Sequence, residues 1–98
     1  MAVQMSNFIG RKFRMLGKLV TVKYVHTTKG DLMALGTFTD CNGEMFDTVH
    51  FPNALKIYPF QGDGVYLLYG KVVEDFGYPS LEVEKMAKMP YLQNPKAE

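Results

Sequence analysis

The side chains in this chain with the chemistry for metal binding or nucleophilic attack are His26, His50, Cys41 and an acidic group at Asp31, Asp40, Glu44 and Asp47. A zinc site needs four ligands, usually closely spaced in pairs. Cys41 stands far in sequence from either histidine, and no fourth ligand is near. A Cys41–His50 nucleophilic pair has no recognisable motif around it. The acids gather around one hairpin, where Asp and Glu are ordinary turn residues. A phosphoryl-transfer site would set carboxylates against arginines, yet Arg11 and Arg14 precede the main strands. The residues assign no catalytic group, no metal ligand and no cofactor, and the expectation is a chain that catalyses nothing on its own.

The remaining chemistry is that of holding an anion. The net charge is only +1, but it is unevenly placed. Residues 1–30 carry Arg11, Lys12, Arg14, Lys18, Lys23 and Lys29 and no acid, whereas residues 31–98 carry all 10 acids against five lysines. This predicts a basic edge on an otherwise acidic body, as an anionic ligand requires. The plain alternative is a solvated strand that happens to be lysine-rich.

A chain of 98 residues is one domain's worth. Its 47% hydrophobic content and 13% aromatic content suit one packed core. The longest apolar run is far short of the roughly 18 residues needed to span a bilayer, so no membrane partner is expected. Met1–Met5 shows no secretory-signal pattern. The single Cys41 excludes an internal disulfide and fits a reducing cytoplasm.

Glycines and prolines divide the chain into short apolar segments, the pattern of an all-β fold. Lys12–Val25 reads as a first strand, with Leu19-Val20-Thr21-Val22-Lys23-Tyr24-Val25 β-branched and alternating. Thr27-Thr28-Lys29-Gly30-Asp31 is a turn before a second strand, Leu32–Thr39. Asn42-Gly43 is a strong hairpin signal and leads into a third strand, Glu44–Phe51. Within Pro52–Phe60, Ala54, Leu55, Ile57 and Tyr58 have helical spacing, limited by Pro59 to one or two turns. Val65–Val73 is a fourth strand, with a bend or bulge at Gly70. Phe76–Pro79 reads as a loop and Leu81–Met89 as a fifth strand, Leu81 and Val83 inward and Glu82 and Glu84 outward. The predicted organisation is an N-terminal extension over 1–10, a barrel domain over 11–90 and a tail over 91–98.

Three strands, a short helix and two strands is the order of the oligonucleotide/oligosaccharide-binding (OB) barrel. An SH3-like barrel is the rival, but it would not usually carry a helix between its third and fourth strands. Gly17–Val22, Lys29–Ala34, Thr37–Asp40, Val49–Pro52 and Gly70–Val73 stand in order and at spacings that resemble the nucleic-acid-binding OB family, which includes anticodon-binding domains of aminoacyl-tRNA synthetases. Lys29–Ala34 and Asp47–Pro52 look most like the OB domain near the C-terminus of bacterial DNA polymerase III alpha subunits, and the likeness runs from about Asn7 to Met89. It implies a five-stranded Greek-key OB barrel with one short helix, all-β in class. It also implies binding of single-stranded DNA or RNA beside a catalytic core that this chain lacks, either as part of such a subunit or as a free-standing relative. The alternative is a module that docks other replisome subunits through exposed apolar residues such as Met33 and Phe46.

OB barrels hold oligonucleotides on the second and third strands and the flanking loops. Alternation divides the second strand into Ala34, Gly36 and Phe38 against Met33, Leu35 and Thr37. It divides the third into Met45, Asp47, Val49 and Phe51 against Glu44, Phe46, Thr48 and His50. Assigning Phe38, Met45, Val49 and Phe51 to the core leaves Met33, Thr37, Phe46 and His50 outward, with Phe46 and His50 as stacking platforms for bases. Lys23, Thr27, Thr28 and Lys29 would meet phosphates. Lys71 on the fourth strand and Tyr78 in the last loop complete the candidate set.

Overall fold

The computed structural model of the chain describes residues 9–75 and 78–90. They form β1 (Lys12–His26), β2 (Leu32–Thr39), β3 (Met45–His50), α1 (Pro52–Ile57), β4 (Val65–Asp75) and β5 (Tyr78–Lys88). The strands close into a barrel in the order β1-β2-β3-β5-β4. All neighbours are antiparallel except β3 and β5, which pair in parallel through Thr48–Leu81 and Val49–Glu82. This is the OB architecture.

Closure depends on β1, whose 15 residues serve two partners. Lys12–Lys18 lies against β4, Lys18–His26 lies against β2, and Lys18 is in register with both Val65 and Thr39. An irregularity between Leu19 and Thr21 bends the strand between its two halves, as an extra residue in a ladder does. A second register shift pairs Tyr69 with Lys85 and Gly70 with Val83, so the extra residue is Glu84 of β5, across the ladder from the bend expected at Gly70 of β4.

Two hairpin turns repeat one design. Gly30 N donates to Thr27 O at 2.9 Å, and Gly43 N donates to Asp40 O at 3.0 Å. In each, the first residue's side chain also accepts a backbone N–H four residues on, Asp31 N to Thr27 Oγ1 at 3.1 Å and Glu44 N to Asp40 Oδ1 at 3.0 Å. The closing glycines take φ of +89° and +80°, a region other residues enter at a cost.

The core is aromatic. Phe38 stacks on Phe46 with centroids 5.8 Å apart and meets Tyr66 edge-on at 5.9 Å. Met15, Leu68, Val72, Leu81, Val83 and Met86 fill the rest. The Tyr66 hydroxyl donates to Gly62 O and accepts from Gln61 N at 2.8 Å, so its polar end is satisfied inside. Helix α1 begins on Pro52, where a missing N–H costs nothing. It packs against β2 and β5 and buries Leu55. Phe60 follows it into the barrel, 6.3 Å from Phe38 and 5.9 Å from Tyr66.

Candidate nucleic-acid interface

On the outside of the barrel, β1, β2, β3 and the start of β5 frame a shallow groove of about 390 Å³. Cross-strand partners present their side chains to the same face. One row is Thr21–Thr37–Asp47, and the next is Lys23–Leu35–Val49–Glu82. The floor is therefore apolar at Leu35 and Val49, with Lys23 at one margin and hydroxyls at Thr21 and Thr37. Tyr78 and Pro79 line it from β5. Tyr78 is 74% exposed, the most open of the described large apolar residues. Thr37 Oγ1 donates to Asp47 Oδ1 at 3.2 Å, which holds that carboxylate within the floor.

Several candidates sit where expected. Met33 and Thr37 are half-buried on the outer face of β2, opposite the buried set Ala34, Gly36 and Phe38. Lys23 points outward, and Thr28 and Lys29 are exposed in the first turn. Thr27 is engaged in that turn, its hydroxyl accepting from Asp31 N. Tyr78 opens β5, in register with Asp75, rather than lying in a loop. Phe76 and Gly77 of the expected loop lie outside the described residues. Lys71 does not join the groove, since it stands on β4 between Lys12 and Glu82.

The faces of β3 are the reverse of the expected ones. Phe46 is 4% exposed and His50 1%, both inside the barrel, whereas Met45 and Phe51 are exposed and Val49 is on the outer floor. Neither Phe46 nor His50 is available for a base to stack on. The assignment by apolar content failed because the inner face carries two polar residues that satisfy each other. Thr48 Oγ1 and His50 Nε2 share a hydrogen bond of 2.8 Å. Gly36 stands opposite Thr48 and makes the room, because a Cβ there would lie 2.6 Å from Thr48 Oγ1. The His50 ring packs 4.7 Å from Phe60, and burial lowers its pKa from 6.5 to about 4. His50 is a neutral core residue at ordinary pH.

The basic first third is likewise divided. Because β1 changes partner at Lys18, Lys12, Arg14 and Lys18 face outward beside β4, while Lys23 stands beside β2. The charge asymmetry does not make a single edge. Leu35, Asp47, Val49, Thr21 and Pro79 are groove residues absent from the sequence-based set. Alternation with Met33 and Thr37 was a sufficient signal for Leu35, and nothing local marked Val49 as outward. Among the described residues no cluster of three or more His, Cys, Asp or Glu is placed to hold a metal ion.

The solution structure of the second OB-fold domain of replication protein A from Methanococcus maripaludis is similar to this chain, with a TM-score of 0.59 and 11% sequence identity. The match covers 86% of this chain and 89% of that domain, and at this identity it speaks to the fold alone. No protein-family model and no curated protein matches the sequence.

Proposed function

We propose that this OB barrel binds single-stranded nucleic acid along the groove of β1, β2, β3 and β5, without catalysis of its own. The observation that carries the reading is the apolar floor of Leu35 and Val49 lying between the open Tyr78 ring and the Lys23 ammonium. An unstacked base needs an aromatic or apolar platform, and its phosphate needs a donor beside it. The structural likeness to a domain of replication protein A supports the same reading by analogy of fold. The groove also contains Asp47, and Glu82 ends its second row, so few phosphates are neutralised there and affinity is modest. Titration of labelled oligo-dT across a salt series tests this. Log affinity falling with log salt at a slope near −2, about three phosphates' worth, is expected, with duplex bound less well. Absence of binding at low salt, or binding indifferent to salt, would refute it.

The finer proposal is that the chain is the OB domain of a DNA polymerase III alpha subunit or a free-standing relative. It rests on Lys29–Ala34 and Asp47–Pro52, and the codons flanking the gene segment test it. A second reading, docking of another replication subunit, is favoured by the exposed apolar Met45, Phe51 and Leu35. Salt separates the two, since an apolar protein contact barely responds to it.

A further inference from the structure

Beyond Glu82, where the groove's second row passes onto β4, the N-terminal half of β1 with β4 and β5 forms a wall of different chemistry. Arg14 is in register with Tyr69, and Tyr69 with Lys85, so the three side chains share one outer row with the phenol ring between two cations. Arg14 and Lys85 are exposed, and Tyr69 is half-buried between them. The three line one open depression of about 480 Å³, floored by Leu67 and reached by Tyr58 from beyond α1. The next row adds Lys12 and Lys71. The nearby acids of the wall are Glu82, beside Lys71, and Glu84, which Lys12 engages at 3.5 Å. Among the described residues no acid lies within ion-pair distance of Arg14, Lys71 or Lys85.

We infer that this wall is a second contact surface for single-stranded nucleic acid, with Tyr69 stacking a base and Arg14 and Lys85 holding the phosphates on either side. The row spans two strand spacings, about 10 Å, room for one nucleotide and its flanking phosphates. Cations without acidic partners call for an anion, and an aromatic face between them calls for one that carries a planar ring. An acidic peptide would satisfy the first requirement only. The inference takes from the groove reading the ligand class alone; the two surfaces meet at Glu82, and Arg14, Tyr69 and Lys85 line the wall without lining the groove.

The test is binding of labelled oligo-dT of about 16 nucleotides, the upper footprint of one OB barrel, across a salt series, with melting temperatures confirming that each variant folds. Tyr69→Ala should weaken binding roughly tenfold at an unchanged salt slope, and Tyr69→Phe should preserve it. Arg14→Ala with Lys85→Ala should lower the slope magnitude by about 1.4, for two phosphates released. The same losses should appear in a Lys23→Ala/Tyr78→Ala background. If the groove substitutions are inert and the wall substitutions are not, the groove reading falls and the wall stands. The converse overturns the wall. An inert Tyr69→Ala beside a sensitive Arg14/Lys85 pair also overturns it, because diffuse attraction needs no ring. So does poly-glutamate that displaces the oligonucleotide equally well from the unsubstituted protein and from the Tyr69→Ala variant, the signature of an acidic protein partner.

Discussion

Inside the barrel the β2–β3 hairpin buries Ala34, Gly36 and Phe38 from one strand and Phe46, Thr48 and His50 from the other; outside, the same hairpin shows Met33, Leu35, Thr37, Met45, Asp47 and Val49. By count of apolar side chains, the outer surface of β3 is the better core. It stays in water because register decides burial. Phe46 is opposite Phe38, and Phe38 already faces inward with Ala34 and Gly36. The polar pair inside costs little because Thr48 and His50 bond to each other at 2.8 Å. The apolar residues outside, Leu35 and Val49, form the floor of the groove on the barrel's outer surface. The two sides of one hairpin thus separate stability from the proposed binding.

Substitution on the two sides should divide the same way. Phe46→Ala, inside, removes a ring stacked on Phe38 and should cost about 3–5 kcal/mol. Met45→Ala, adjacent but 61% exposed, should change stability by less than about 0.5 kcal/mol. Chemical denaturation of both variants measures the contrast, and comparable losses would erase it.

Acid should strike only the inside. Folding holds His50 neutral with its pKa lowered to about 4, so below pH 6.5 the unfolded chain takes up a proton that the folded chain does not. Stability therefore falls by about 1.4 kcal/mol per pH unit between roughly 6.5 and 4, about 3 kcal/mol in all, and is unaffected by this group above 6.5. His50→Gln should flatten that part of the pH profile, and an unchanged slope would show that the imidazole is not what titrates.

Outside, the effects should be on binding alone. Tyr78→Ala should lower oligo-dT affinity by about 1–3 kcal/mol through lost stacking and leave the melting temperature where it was. The smallest effect is expected of Lys23→Ala, a reduction of about 0.7 in salt-slope magnitude for one phosphate. A Tyr78→Ala protein that melts earlier while binding as before would make that ring structural and sharpen the case for seeking the ligand elsewhere on the barrel.

Much of the architecture was legible before any coordinates. Gly30 and Asn42-Gly43 mark turns through a backbone requirement local to a few residues, and β2 begins and ends where they place it. Pro52 and Pro59 confine the helix to Pro52–Ile57 for the same reason. Leu81 and Val83 are inward, alternating with Glu82 and Glu84 over those four residues. Alternation alone defines two faces of a strand, however, and which one is buried depends on neighbours that only pairing supplies. In β2 the apolar content of both sets left Phe38 to decide correctly. In β3 the inner set was Phe46, Thr48 and His50, whose polarity is compensated by a bond between side chains and by space at Gly36 across the ladder.

The chain by itself therefore determined the order of the elements and the turns set by glycine and proline, because turn geometry, proline and periodicity act over a handful of residues. It did not place the ends of β4 and β5, which run on to Asp75 and back to Tyr78. Tertiary structure alone decided the inward face of β3, the turning of β1 from one partner to another at Lys18, and the consequent division of Lys12, Arg14 and Lys18, beside β4, from Lys23, beside β2. Those outcomes follow from closure. A strand that must pair with two neighbours and a core that must fill one enclosed volume impose conditions on residues far apart in sequence, and no window of local sequence contains them.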